Sequence, residues 1–292
     1  FSDNFNESFP ISIRDENYGW KPDIPEQRDL FVKFPIIKNI SDSIDLRSDN
    51  EFIYKQNNNQ ASVACAVVAA FDYENYKINP DKHFISSPLF IYYNQRVIDN
   101  NIQNDNGGSI RDTIKAINKL GVCDYNLWNS SNKINIRPNI SAYLDAQKNK
   151  RIKYKRVKKD INTLQTSLIL KYPIIFGFTV YNSFNLDENN IMILPSDYEK
   201  VYGTHCGLIY GYNNINKTFL IKNCFNDSWG ENGFFYIPYE FITGPSCSDF
   251  WVIEKIKKIE DNLTMKDIIK KYEFRNDNEI KKSNSEISIV DI

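Results

Sequence analysis

Histidine, paired cysteine and long apolar runs are all scarce in this chain, and each scarcity excludes something. With 2 histidines in 292 residues, a structural zinc site has too few imidazoles to draw on. The five cysteines, Cys65, Cys123, Cys206, Cys224 and Cys247, show no C-x-x-C spacing, and their odd number argues against a complete disulfide framework. Most stand among apolar or small residues, where a thiol behaves as a small hydrophobe. No metal and no cofactor is expected. No apolar run approaches the ~20 residues a bilayer requires. The best candidate, Leu168 to Phe178, is interrupted by Lys171 and Pro173 and reads as a buried strand. An excess of one charge is missing too. The 36 basic and 37 acidic side chains leave a net charge of −1, which gives no electrostatic reason to expect nucleic acid or an anionic membrane as a partner. Composition does not fix an oligomeric state.

At 41% hydrophobic residues, the chain can bury one large core or two modest ones. Asparagine is abundant but scattered, so the sequons at Asn39, Asn129 and Asn216 carry no weight. The chain starts on Phe1 rather than methionine, which suggests a trimmed start. Residues 1–43 are polar and Pro-dotted, without periodicity, and read as extended chain laid over a surface. Ser62–Tyr76 is dense in alanine and free of Gly and Pro, as a central helix buried nearly all round should be. Helices are also expected over Pro88–Ile98, Ser109–Lys119 and Asn139–Gln147. Beyond residue 150 the texture changes. Ile174–Val180, His205–Tyr212, Thr218–Asn223 and Gly233–Ile237 are short β-branched and aromatic runs, read as antiparallel strands, with residues 214–217 as a hairpin loop. Helices first and strands later give an α+β protein: an extended segment 1–43, a mainly helical half 44–150, a mainly β half 151–256 and a polar tail 257–292, with a short helix over Thr264–Tyr272.

Acyl transfer needs a nucleophile, a base, a group that orients the base, and donors for the oxyanion. Only His83 and His205 can supply the imidazole. His83 lies in a polar loop and reads as solvated. His205 opens a strand, in Gly203-Thr204-His205-Cys206-Gly207. Eighteen residues on comes Asn223-Cys224-Phe225-Asn226-Asp227-Ser228-Trp229-Gly230, and far upstream Gln56 stands six residues before Ser62 at the mouth of the central helix.

In this order and spacing these segments resemble the papain/cathepsin family of cysteine proteases, in the form common in bacteria and large DNA viruses. The resemblance runs from about Trp20 to Ile253 and includes Ser86-Ser87-Pro88-Leu89-Phe90-Ile91-Tyr92-Tyr93, Gly121-Val122-Cys123 and Ser248-Asp249-Phe250-Trp251. It implies a papain-like fold of a helical subdomain with a central buried helix and an antiparallel β-barrel-like subdomain. It implies a peptide or protein substrate. Gln56 and the backbone N–H of residue 62 would bind the oxyanion, His205 would be base and then acid, and Asn223 would hold the imidazole in its working tautomer. Trp229 would shield that pair, and Gly107 and Gly108 would let substrate backbone lie close, although the two glycines also suit a turn before a helix. Cys224 and Phe225 replace the usual Ser and Trp.

The decisive departure is Ser62, where the family carries its nucleophilic cysteine. Cys65 is a poor substitute, because three residues along a helix moves it ~4.5 Å down the axis, away from the mouth where the helix dipole helps form a thiolate. A Ser-His-Asn site should keep substrate binding and lose most turnover. Two origins fit the serine: a cysteine-to-serine replacement that traps an inactive protein, the favoured one, and a naturally serine-bearing homologue. Against peptide hydrolysis stands a pseudoprotease that binds without cutting. A transglutaminase-like enzyme fits poorly, since Asn rather than Asp follows His205. Ile44-Asp45-Leu46-Arg47 resembles the start of mature family members, which makes residues 1–43 a candidate pro-segment over the cleft, with a strap along the back of the domain as the alternative.

Overall fold

The structure, a computed structural model, describes residues 19–255 apart from 36, 38, 39, 50, 51, 79, 81–83, 130–133 and 151. His83, residues 1–18 and the helix expected over Thr264–Tyr272 lie outside the described residues. Contacts divide the chain into a unit of residues 1–256 and a second of 257–292; the second lies outside the described residues.

The elements run β1 (Ser43–Asp45), α1 (Ser62–Ile78), α2 (Pro88–Ile98), α3 (Ile110–Leu120), α4 (Ile140–Ala146), β2 (Ile152–Arg156), α5 (Ile161–Ile169), β3 (Ile174–Tyr181), β4 (Val201–Asn213), β5 (Thr218–Lys222), β6 (Phe234–Pro238), α6 (Tyr239–Thr243) and β7 (Cys247–Lys255). Helix starts follow their caps. Ser87, Ser109, Asn139 and Asp160 each accept a backbone N–H from the first turn of α2, α3, α4 and α5, which satisfies one donor the helix cannot. One antiparallel sheet holds the strands in the order β2-β7-β3-β4-β5-β6, with β1 paired to β4. The protein is therefore α+β.

α1 is the axis of the core. Every residue from Ser62 to Glu74 is buried, and its run of small side chains lets the helix sit close against neighbours on all sides. Tyr73 meets Tyr210 of β4 edge-on, and Phe176, Phe178, Phe219, Phe235 and Trp251 are sheet side chains with almost no exposure.

Leu168–Phe178 departs from the single buried strand expected of it. Its first residues finish α5, Lys171 turns the chain at φ 59°, and only from Ile174 does it become β3. Continuous hydrophobicity alone does not separate a helix end from a strand start.

Two features of the sheet prepare the site. Phe178 of β3 pairs with His205 of β4, and Gly177 with Cys206. On the other side of β4, Leu208 pairs with Lys222, so the chain leaving β5 carries Asn223 alongside the His205 end of β4. Asn223 is fixed there by donating its N–H to Gly233 O at 3.0 Å.

Candidate active site

Ser62 is the first residue of α1 and is completely buried. The loop before it is tied down on both flanks. Asn59 Oδ1 accepts from Ala61 N at 3.2 Å, and Asp105 Oδ1 accepts from Gln60 N at 3.0 Å and from Tyr92 Oη at 2.5 Å. Tyr92 Oη in turn accepts from Gly107 N at 3.1 Å. Asp105 and Tyr92 thus lock the mouth of α1 to the Gly107–Gly108 loop. Gly107 takes φ 71° in the turn before α3, a conformation glycine adopts without cost.

His205 and Asn223 form a buried pair, with 2.8 Å between His205 Nε2 and Asn223 Oδ1. The same oxygen accepts Cys224 N at 2.8 Å, so the amide is held oxygen-inward and Nε2 carries the proton. Phe178 stands edge-on to the imidazole with ring centres 5.4 Å apart, and Phe225 lies 4.8 Å away on a tilted plane. Trp229 packs edge-on against Phe225 at 5.3 Å and against Phe235 at 5.2 Å. The aromatic cage therefore touches the histidine through Phe178 and Phe225, with Trp229 behind Phe225. Burial pushes the His205 pKa down to about 4, and the hydrogen bond to Asn223 only partly opposes it.

Gln56 joins the pair through Cys224. Its backbone N–H donates to Cys224 O at 2.9 Å, Cys224 Sγ donates to Gln56 Oε1 at 3.0 Å, and that sulfur lies 3.9 Å from His205 Nε2. Gln56 Nε2 spends one proton on Asn59 O at 2.9 Å, and its second is the one that can face a ligand. Cys65 is core. It lines a small cavity with Cys206, Cys224, Tyr54 and Lys222 beneath the site, and all five cysteines are buried free thiols. Under this floor Asp72 is fully enclosed, accepts from Ser86 Oγ at 2.5 Å and from Tyr54 Oη, and is pushed by burial to a pKa of about 7.

Main chain from the N-terminal segment lies on Ser62. A β-carbon at Gly19 would stand 2.4 Å from Ser62 Oγ and 3.5 Å from Thr204 O; only glycine passes there. Trp20 bridges Gly108 in the parallel sense: Lys21 N donates to Gly108 O at 2.9 Å and Gly108 N donates to Gly19 O at 3.3 Å. Thr204 Oγ1 donates to Trp20 O at 2.5 Å. The indole lies against β3, where a β-carbon on Gly177 would fall 2.0 Å from its ring, and its N–H donates to Asp249 Oδ2 at 3.2 Å. Farther along, Asp23 accepts from Trp251 Nε1 at 2.7 Å and Arg156 Nη2 at 3.3 Å, and Arg156 also reaches Asp29 at 2.9 Å and Asp249 at 3.1 Å. Arg111 holds Asp29 at 2.7 Å and Ile24 O at 2.6 Å. Desolvation, then the Asp249 charge, raises the Asp23 pKa to about 6.

A buried imidazole hydrogen-bonded to an asparagine, and a buried serine opening α1, are the groups this region offers to acyl-transfer chemistry. Comparison with known proteins identifies the family. The model of the papain family of cysteine proteases matches residues 40–248. An uncharacterized peptidase C1-like protein, L477, of Acanthamoeba polyphaga mimivirus is 37% identical over 206 residues, 66% of each chain. Cathepsin B-like cysteine proteinase 4 of Caenorhabditis elegans is 32% identical over 83 residues, 28% of this chain and 24% of that one. The chain thus spans just under two thirds of the viral relative's length and about a quarter of the nematode one's. Among solved structures, xylellain, a cysteine protease from Xylella fastidiosa, superposes with TM-score 0.77 at 33% identity, covering 83% of this chain and 97% of that one. The proCathepsin B S9 of Trypanosoma congolense, 11% identical with TM-score 0.64 over 86% of this chain and 90% of that one, shares the fold. The protein belongs to the papain family of cysteine proteases.

Proposed function

We propose that this is a papain-type peptidase held closed by its own N-terminal strap, with residue 62 at the nucleophile position and its serine suppressing turnover. The observation that carries the reading is the extended main chain of residues 19–21, hydrogen-bonded to Gly108 and laid on Ser62 Oγ. It occupies the surface a substrate backbone needs, beside a buried His–Asn pair.

The roles follow from the geometry. With Nε2 committed to Asn223, Nδ1 of His205 is the nitrogen that exchanges a proton with the nucleophile and then with the leaving amine. The N–H of residue 62 at the helix mouth and the second amide proton of Gln56 stabilise the oxyanion. A thiol of pKa ~8.5 beside a histidine and a helix N-terminus can reach a resting thiolate–imidazolium pair. A serine hydroxyl cannot, and Asn223 supplies no negative charge to strengthen the base. Among the described residues Ser62 Oγ has no hydrogen-bond partner, which also favours the second reading, a pseudoprotease that binds without cutting. The strap of residues 19–32 acts as the end of a pro-segment, and intact strap fits a nucleophile unable to cleave it.

Mass spectrometry of full-length Ser62→Cys protein during incubation tests this. The expected result is self-cleavage that removes sequence upstream of Ile44, absent when His205→Ala is added. A chain that stays intact, and whose residue 62 thiol reacts with an alkylator no faster than free cysteine, overturns the peptidase reading.

A further inference from the structure

Away from Ser62 and His205, a second hollow lies where the strap crosses the edge of the sheet. β2 is an edge strand, and the strap adds itself to that edge in the parallel sense: Val32 N donates to Arg156 O at 2.8 Å, and Arg156 N donates to Leu30 O at 2.9 Å. Past this bridge a groove of about 210 Å³ opens between the strap, β2, β7 and Tyr172. Val252 is its buried floor, Phe34 and Tyr172 stack at 6.4 Å as a wall, and Lys33, Lys153 and Lys155 stand exposed around it. We propose that this groove binds an extended acidic segment of a partner protein, and that the bound segment holds the strap closed. The second half rests on reading the strap as the cover of a peptidase cleft; the binding half does not.

Charge and spacing select the occupant. Three ammonium groups line the groove against one carboxylate, Glu254, and among the described residues none of the three lysines has an ion-pair partner. Lys153 and Lys155 pair with Glu254 and Val252 of β7, so all four side chains share one face. Two residues along a strand is ~6.6 Å, which is also the repeat of an extended peptide. Carboxylates at alternate positions of such a peptide therefore meet both lysines in turn. The stacked rings and Val252 beside them offer a flat apolar surface to a neighbouring aromatic side chain. A basic peptide would bring like charges together, which repels it.

The coupling to the strap follows from who builds the groove. Val32, Lys33 and Phe34 belong to the strap, and the rest to the body of the protein, so the complete groove exists only while the strap is docked. A ligand that needs both parts binds the closed state alone and favours it by the factor 1 + [L]/Kd. By reciprocity, a docked strap strengthens binding of that ligand.

The test uses the full chain with Ser62 in place and the probe peptide acetyl-Glu-Ser-Glu-Phe-amide, titrated calorimetrically at low salt. Lys153→Gln with Lys155→Gln, both at exposed positions, should weaken binding about tenfold, and the peptide with lysines in place of its glutamates should not bind. At ten times its Kd the acidic peptide should slow hydrogen exchange at Val32 N–H and Arg156 N–H about elevenfold, and not in the double variant. In the Ser62→Cys chain it should slow self-cleavage. An affinity unmoved by the two substitutions, or a lysine peptide bound as well, overturns the binding site. Binding that leaves both amides unchanged overturns its hold on the strap. Binding seen only after residues 1–18 are deleted would give the groove to this chain's own N-terminus, and a dimer that the double variant dissolves would give it to a second copy; either overturns the partner assignment. A Ser62→Cys chain that cuts nothing sinks the peptidase reading and leaves the titration and exchange results to stand alone.

Discussion

Replacing Gly177 by alanine should open the cleft from the side opposite the strap. The new β-carbon would fall 2.0 Å from Trp20 Cε2, 2.2 Å from Cδ2 and 2.5 Å from Nε1, all ring atoms of a side chain pinned at its far end by Asp249 and at its backbone by Gly108 and Thr204. The ring has no direction in which to slide, so it must leave. A buried Trp removes roughly 200 Å² from water, worth about 5 kcal/mol at ~25 cal/mol/Å², and its bond to a carboxylate adds about 1.5–3 kcal/mol. Ordering residues 19–24 costs about 1–2 kcal/mol each in backbone entropy. The indole therefore offsets most of that ordering, and the Asp23–Arg156–Arg111 network is left to hold the strap alone. With part of the burial lost already in a compact open state, closure should weaken by about 3–5 kcal/mol. Hydrogen exchange at Lys21 N–H and Gly108 N–H, both bonded across the strap, should accelerate on the order of 10²–10⁴-fold, while β3–β4 ladder amides keep their protection because a strand tolerates alanine better than glycine. Trp20→Ala should give the same loss without altering β3. Less than a fivefold change at Lys21 and Gly108 would refute the anchoring role of the indole.

Three further outcomes follow from the same geometry. Asp23 has its pKa raised to about 6, so its share of closed-state stability is full below pH ~4 and lost as pH rises through 6. Asp23→Asn removes that share, so strap protection, corrected for intrinsic exchange, should fall less between pH ~4 and ~6 than in the parent; a profile parallel to the parent's would contradict this. In a Ser62→Cys background, Asn223→Ala should lower kcat on the order of 100-fold with little change in KM, and an unchanged kcat would remove Asn223 from the orienting role. Cys65→Ala should cost about 1–2 kcal/mol in chemical denaturation, since it removes one buried atom from a packed core, and should leave alkylation of a thiol at position 62 unaltered.

Local chemistry made much of the helical framework readable. α2 begins and ends where Ser87-Pro88 and the run to Ile98 place it, and the alanine-rich stretch is α1, two residues longer than expected. Ser62, Gln56, His205 and Asn223 are singled out by the family resemblance, and the structure brings His205, Asn223 and Gln56 together around Cys224. What stayed hidden depends on long-range pairing. β7 and β2 are strands because Trp251 pairs with Arg156 and Ile175, partners about 75 to 95 residues away, and the alternating Lys and Arg of β2 look like a solvated segment until that pairing is known. The strap reads as shapeless because its order comes from Asp249, Arg156 and Gly108 rather than from its own periodicity. Gly19-Trp20 was the available signal, a residue without a side chain next to the largest one, but only the fold shows what each of them touches.

The most direct measurement is peptide turnover by full-length protein carrying Ser62→Cys and Trp20→Ala, which supplies a thiol at the mouth of α1 and vacates the indole slot. The sulfur is a near-isosteric change that should cost less than ~1.5 kcal/mol. The expected result is hydrolysis of a broad peptide library, a residue 62 thiol alkylated much faster than free cysteine at neutral pH, and loss of both on adding His205→Ala. Peptides that bind yet remain uncut, together with a thiol at position 62 of ordinary reactivity, would contradict the assignment of this cleft as a peptidase active site.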